Sequence, residues 1–322
     1  MGFLEYLFGP KEDPWCRTDT PAPAAAQATV EPPAPAAPSS ADHADKAKAL
    51  WSEAPHKDYG PPGSRTVYLG MGEEARKAEG AAFANRSDVI PVEAHSYGDP
   101  LQGKVVSESN GDVLDPSKPE DLERFLIETG IARTRTDANG APIESEEDAQ
   151  ARVKRLEAMF LQNSLADDPP GSGIDAKSRD EVASLIRILQ AGQDGKIDID
   201  RMIISGHHLG YNFFDETGFG PSFEQLQALF HEFPEASHVK HLMTSACHTL
   251  EPSFHSEDGA KYPPMFPEIE TLWGYDGKSP TWNQGSPEHI RSFLKASDTK
   301  DPTKIAAAAR AAGGNAKVKT YR

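Results

Sequence analysis

Two histidines and one cysteine follow two short apolar segments of the sequence. Residues 202–205, MIIS, are followed by Gly206, His207 and His208, and the segment HLMTSA leads directly into Cys247. A thiolate attacks an acyl carbon far better than a thiol, so a nucleophilic cysteine needs a neighbouring base. An imidazole can take the thiol proton and later return a proton to the leaving amine. These residue types therefore suit acyl transfer, provided that the fold brings the two segments together.

An amphipathic helix is predicted between the two apolar segments. The stretch SFEQLQALFHEF places Leu226, Leu229 and Phe230 on one helical face. A strand, a helix and a strand at this spacing form a βαβ crossover, which makes the two strands parallel. Because ligands bind at the carboxyl edge of open α/β sheets, we expect His207 and Cys247 to lie together at that edge.

The rest of the body alternates strand and helix patterns. Gly130 and Gly192 are predicted to stop helices, and Pro91 weakens the second strand. We expect residues 64–190 either to complete a mostly parallel sheet or to form a separate domain. The predicted strands lie in SRTVYLGMG, which runs into a glycine turn, in SDVIPVEAHSYGD and in IETLWGYDG, and the predicted helices are PEDLERFLIETG, SEEDAQARVKRLEAMFLQN, AKSRDEVASLIRILQAG, SPEHIRSFLKA and TKIAAAARAAGG, of which the last two close the chain.

The N-terminal part has a different composition. Residues 20–41 are almost entirely Pro, Ala, Ser and Thr, and such a stretch cannot bury enough apolar surface to offset its ordering entropy. We therefore predict a disordered segment and linker over residues 1–60 and a folded domain over residues 61–322. The apolar stripe in residues 3–8 is either a docking peptide for a regulatory protein partner or a frayed terminus.

Charge and cysteine content restrict the function classes. The formal net charge is −17, which argues against nucleic acid and anionic membrane surfaces as partners and favours basic ones. The two cysteines, Cys16 and Cys247, form no CxxC pair, so a cysteine-rich zinc site is excluded. The sequence has no apolar run near the ~20 residues that span a bilayer and starts without signal-peptide features. We expect a cytoplasmic protein, with export by a route that needs no signal peptide left open.

The segments MIISGHH and HLMTSACHT together resemble the paired signature of caspase-like cysteine peptidases, most closely the CHAT-type branch related to separases and caspases. In that group, one hydrophobic strand ends in the catalytic histidine and the next in Ala-Cys or Gly-Cys. The cysteine segment of the branch reads Ser-Ala-Cys-x-Thr, as residues 245–249 do here, and a later strand ends in Leu-Trp, as Leu272-Trp273 does. The resemblance covers about residues 195–300 and implies a caspase-like α/β/α sandwich.

The resemblance also implies a reaction. The chain would be a cysteine endopeptidase of protein or peptide substrates, with Cys247 as nucleophile and His207 as acid–base residue, and it would need no cofactor and no metal. The family usually has Gly after the histidine, and the N–H of that Gly helps to bind the oxyanion, whereas this sequence has His208. His208 would supply the same backbone donor, or be the base itself, or mark an inactive domain. Gly206 favours His207, because a Gly-His ending is common in the branch.

An acidic pocket residue is expected beyond the next strand. In the family, the neighbouring strand end shapes the pocket for the residue before the cleaved bond. Asp276, together with Asp258, would then select a basic residue, in agreement with the negative charge of the body. The other interpretation of Asp276 is a turn residue before Gly277.

Two other functions stay open beside the peptidase. A catalytically inactive caspase-like domain would act as an interaction module. A zinc hydrolase would use His207, His208 and His248 with an acid such as Asp258, although the sequence contains no HExxH spacing.

Overall fold

Ten short strands alternate with helices in the computed structural model, which describes residues 58–61, 63–136, 141–161, 174–208, 212–215, 220–236, 238–252 and 259–321. These residues belong to the unit Ala36–Arg322. The predicted linker and the apolar stripe before it lie outside the described residues. The strands are β1 (Ser64–Gly70), β2 (Val89–Pro91), β3 (Val105–Val106), β4 (Val113–Leu114), β5 (Asp198–Ser205), β6 (His207–His208), β7 (Phe213–Phe214), β8 (His241–Ser245), β9 (Thr271–Tyr275) and β10 (Ala316–Thr320).

Six of the α-helices occur where the sequence shows apolar spacing of the helical kind, whereas α1 and α6 were not predicted. Two 3₁₀ turns, Ala176–Ser178 and Pro234–Ala236, accompany them. The helices are α1 (Glu73–Gly80), α2 (Pro119–Glu128), α3 (Glu146–Leu161), α4 (Arg179–Gln193), α5 (Phe223–His231), α6 (Tyr262–Met265), α7 (Ser286–Ser297) and α8 (Pro302–Ala312).

One central sheet contains six of the strands, in the order β2-β1-β5-β8-β9-β10. All neighbouring pairs are parallel except β9 and β10. The prediction of an α/β fold with a mostly parallel sheet is therefore confirmed. Because β1 and β2 belong to this sheet, residues 64–91 contribute to it, whereas β3 and β4 form a separate two-stranded sheet.

The strands bury side chains on both faces, as parallel strands covered by helices do. In β5, Met202 and Ile204 belong to one apolar cluster, whereas Ile203 belongs to the other. Helices α2 to α6 pack on the first face, and α7 and α8 pack on the second. The described unit therefore has three layers, with helices on both sides of the sheet.

Other details of the main strands and helices also differ from the predictions. The sequence predicts that helices close the chain, but β10 follows them and pairs with β9; only Val318 and Thr320 of its segment AKVKT favour a strand. The strand predicted from Met202 begins at Asp198, because Asp200 and Arg201 are buried through ion pairs and hydrogen bonds. Gly192 lies inside α4, where a Cβ atom would come within 2.9 Å of Ala236.

No helix within the described ranges combines the length and the apolar character needed to cross a membrane.

Candidate active site

The register of β5 and β8 places the two chemistry-bearing segments side by side. The strands run parallel and pair from Arg201 with His241 to Ser205 with Ser245. Helix α5 makes the crossover, and its N-terminus has a capping box between Ser222 and Gln225. The expectation that both strands end at one edge of the sheet is confirmed. His207 and Cys247 each follow the last register pair by two residues.

A small hairpin presents the two histidines. His207 pairs with Phe214 and His208 with Phe213 in the antiparallel ladder of β6 and β7. Neighbouring side chains of a strand point to opposite faces, so the imidazoles separate. The ring of His207 stacks on Phe214 with centroids 5.4 Å apart, and that of His208 lies against Phe213 at 5.1 Å.

Gly206 is the joint between β5 and this hairpin. A Cβ atom there would lie 2.8 Å from the Cβ and Cγ atoms of Met71 and 3.1 Å from the carbonyl oxygen of Phe214. The close approach of Met71 therefore requires a residue without a side chain.

His208 is buried and has partners at both ring nitrogens. Its Nδ1 lies 3.0 Å from the carbonyl oxygen of Cys247, its Nε2 lies 3.3 Å from Nζ of Lys261, and the residue is 3% exposed. Burial, with the charge of Lys261 as a smaller cause, lowers the pKa of His208 to about 3. The neutral ring donates from Nδ1 to the carbonyl and accepts from Lys261 at Nε2. His208 thus fixes the backbone at Cys247.

His207 and Cys247 have different exposures. His207 is half-buried, whereas the thiol-bearing Cys247 is only 4% exposed. The sulfur lies 3.6 Å from the hydroxyl oxygen of Ser279. Sequence analysis missed Ser279, because its surroundings, GKSP, read as an ordinary loop and only the fold brings it to the sulfur.

The turn that carries Cys247 is fastened to the end of β9. Thr249 is fully buried; its hydroxyl oxygen lies 3.0 Å from that of Thr244 and accepts from the N–H of Tyr275 at 3.0 Å. The N–H of Leu250 donates in turn to the carbonyl of Tyr275 at 3.0 Å. The last residue of the Ser-Ala-Cys-x-Thr segment therefore has a structural role here, which is to hold the cysteine turn.

His248, directly after the cysteine, has a left-handed backbone with φ of 59°. For a residue with a side chain, this conformation costs on the order of 1–3 kcal/mol and persists where surrounding contacts impose it. Its N–H donates to the carbonyl of Gly277 at 2.6 Å, and its Nδ1 bonds the carboxylate of Glu251. Because the N–H of His248 is used in this way, it is not an oxyanion donor.

A buried polar network lies behind the cysteine strand and was also missed by sequence analysis. The carboxylate of Glu79 accepts from the hydroxyls of Tyr68, at 2.6 Å, and Ser286. The hydroxyl oxygens of Ser286 and Ser245 lie 2.9 Å apart. Burial raises the pKa of Glu79 above its usual range. The network ties α1, β1 and α7 to the strand that ends before Cys247.

Asp276, one of the two acids expected to shape a substrate pocket, directly follows β9. The carboxylate of Asp276 bonds the ammonium group of Lys317 on β10, and its N–H donates to the carbonyl of Asn315 at 3.0 Å. Asp258 lies outside the described residues. Within the part of the chain that is described, no three His, Cys, Asp or Glu side chains form a group that could hold a metal ion. His207, His208 and His248 therefore do not constitute a zinc-ligand set.

Two cavities lie at opposite edges of the sheet. One of about 870 Å³ is at the amino edge, beside Gly63 and Asp198, and so lies away from Cys247. The other, of about 210 Å³, is at the carboxyl edge beside Met71 and is named here the acidic pocket. It is lined by Met71, Glu73, Glu74, Arg76, Ala94, His95, Tyr97, Gln102, Lys177, Ser178, Glu181 and Asp215.

No protein-family model, no curated protein and no solved structure matches this chain.

Proposed function

We propose that this chain is a cysteine endopeptidase with a caspase-like fold. His207 takes the proton of the Cys247 thiol, and the sulfur attacks the carbonyl carbon of a peptide bond. The tetrahedral intermediate collapses as His207 gives the proton to the departing amine, which leaves a thioester. Water, deprotonated by His207, then hydrolyses the thioester and regenerates the thiol.

The observation that carries this proposal is the register of β5 and β8. Because Ser205 pairs with Ser245 and the strands are parallel, His207 and Cys247 follow equivalent positions of neighbouring strands. The carboxyl edge of such a sheet is where open α/β folds bind their ligands. The six-stranded sheet with helices on both faces is compatible with the caspase-like sandwich.

His207, rather than His208, is the base that we propose. A general base needs a pKa near the working pH and an accessible nitrogen. His208, with a pKa of about 3 and contacts at both nitrogens, meets neither condition. His207 is half-buried and stands on the opposite face of the hairpin. For the oxyanion we propose the N–H of Cys247 and one N–H near His208 as donors.

The test is thiol labelling combined with turnover. In a Cys16→Ser background, iodoacetamide should label Cys247 in the folded protein within minutes at pH 7, because His207 generates thiolate. Changing His207 to Ala should slow labelling strongly and abolish cleavage of a fluorogenic peptide library. Changing Cys247 to Ala should abolish both labelling and cleavage. Changing His231 to Ala, a histidine of α5 outside the site, is the matched control and should change neither rate. Labelling only after unfolding would contradict the proposal.

A second candidate function is supported by the burial of the thiol. Cys247 is 4% exposed, and buried cysteines in apolar surroundings are generally inert. The chain would then be an inactive caspase-like module that binds partners. Absence of labelling in the folded state, together with absence of turnover of every peptide in the library, would favour this candidate.

A cytoplasmic location fits the peptidase proposal, because the attacking thiolate must stay reduced. The expected partners are protein or peptide substrates and a regulator bound through the N-terminal segment.

A further inference from the structure

The acidic pocket borders the segment that carries His207. Met71 lines the pocket and also packs against Gly206, the residue before His207. Asp215, another lining residue, directly follows Phe214, whose ring stacks on His207. His207 itself does not line the pocket, but a ligand there would contact Met71 and Asp215, which adjoin the segment that carries the proposed general base.

Glu181 is the distinctive residue of the pocket. It belongs to the first turn of α4 and is 5% exposed. Its Oε1 atom has no hydrogen-bond partner among the described residues. A buried, unpartnered carboxyl oxygen is costly. The cost is recovered when a ligand supplies the missing donors.

Among the described residues, Arg76 is the cationic group that acts on the charge of Glu181. Arg76 donates through its guanidinium to the carbonyl oxygens of Gly70 at 3.0 Å and Met71 at 3.4 Å. Asp180 accepts from the N–H of His95 at 2.6 Å. The titratable groups that line the pocket or act on Glu181 are Glu73, Glu74, Arg76, His95, Tyr97, Lys177, Asp180 and Asp215.

We propose that the acidic pocket binds the guanidinium or ammonium group of a substrate residue close to the cleaved bond, with Glu181 and Asp215 as the recognising carboxylates. This inference rests on the proposed function, because it assigns the pocket to the substrate. A metal ion fits less well, since no three acidic or histidine side chains of the described residues form a metal-binding group. Asp276, the acid expected from the sequence, is occupied by Lys317.

Binding of a cation should release a proton. Burial is the largest cause that raises the pKa of Glu181 to about 8, and Asp180 and Asp215 add to it while Arg76 opposes it. At pH 7 the carboxyl of Glu181 is therefore about nine-tenths protonated in the empty pocket. A guanidinium beside it favours the charged form, so the proton leaves when the ligand arrives.

Calorimetry on the Cys247→Ala variant tests this without relying on catalysis. The probes are Nα-acetyl-argininamide and its uncharged isostere Nα-acetyl-citrullinamide, each titrated at pH 7 in phosphate and in Tris. We expect the arginine probe to bind at least about tenfold more tightly than the citrulline probe. Its apparent binding enthalpy should differ between the two buffers, which reports proton release.

Glu181→Gln should remove the proton release and reduce the preference for arginine by about tenfold. Asp215→Asn should weaken arginine binding and keep the proton release, and Asp276→Asn is the control that should change neither. Equal binding of the two probes, or unchanged proton release in Glu181→Gln, would overturn the inference. The binding measurements use Cys247→Ala and so do not depend on catalysis. If the arginine probe binds but Cys247 of the folded parent protein is not labelled, the peptidase proposal is refuted and the pocket assignment stands.

Discussion

The Nδ1 atom of His208 lies 3.0 Å from the carbonyl oxygen of Cys247. The residue next to the proposed base therefore holds the main chain of the proposed nucleophile. Lys261 completes the arrangement at the other nitrogen of the ring. Of two adjacent histidines, one is fixed in a structural role and the other is left at the edge of the sheet.

Replacing His208 by Phe should destabilise the protein. The change leaves the buried carbonyl of Cys247 without its donor, which costs about 1–3 kcal/mol of unfolding free energy. Chemical denaturation at pH 7.5 measures the loss. An unchanged free energy of unfolding would show that the hydrogen bond contributes nothing.

The same histidine predicts how stability depends on pH. The pKa of His208 is about 3 in the folded chain and 6.5 as an ordinary histidine, so the unfolded state binds more protons between these values. Stability therefore falls as pH falls below 6.5, by about 2 kcal/mol from this group between pH 6.5 and pH 5. Denaturation at several pH values should show a steeper acid loss for the parent protein than for His208→Phe. Parallel curves would contradict the assignment.

Thr249→Val should loosen the cysteine turn. Valine has the same shape but no hydroxyl, so the buried N–H of Tyr275 loses its acceptor, at a cost of about 1–3 kcal/mol. Thr249→Ser keeps the hydroxyl and is the matched control. We expect denaturation to show a larger loss for valine than for serine, and iodoacetamide labelling of Cys247 to change in rate only for valine. Equal losses would assign the role of Thr249 to its methyl group.

Ser279→Ala tests the contact with the sulfur. The hydroxyl lies 3.6 Å from Sγ and can donate to the thiolate. Its removal should slow labelling of Cys247 at pH 7 by about tenfold, because a hydrogen bond to a charged group contributes about 1.5–3 kcal/mol. Ser279→Thr retains the hydroxyl and should label at nearly the parent rate. Labelling of the alanine variant at the parent rate would remove Ser279 from the site.

Local patterns sufficed for much of the fold. The apolar spacing of α5 marks that helix, and the run Met202–Ser205 marks a buried strand. The crossover rule then makes β5 and β8 parallel neighbours. His207 and Cys247 could be assigned to one edge for this reason, since both follow strands that the pattern detects.

Contacts distant in sequence could not be predicted. Ser279 reaches the sulfur, and Glu79 reaches Ser286, only through tertiary packing. The role of His208 depends on burial and on Lys261, neither of which has a periodic signal. Glu181 looks in sequence like a favourable acid in the first turn of a helix, and only the fold shows that its carboxyl is buried in a pocket.

The edge strand β10 has a consequence for the loop that carries Ser279. Asn315, just before β10, accepts from the N–H of Asp276 and donates to the carbonyl of Lys278 at 3.2 Å. Lys317 adds its bond to the carboxylate of Asp276. The position of the serine beside the sulfur is thus set by residues some seventy places after the cysteine in the chain. The outer edge of β10 is therefore linked to the thiol through this chain of bonds.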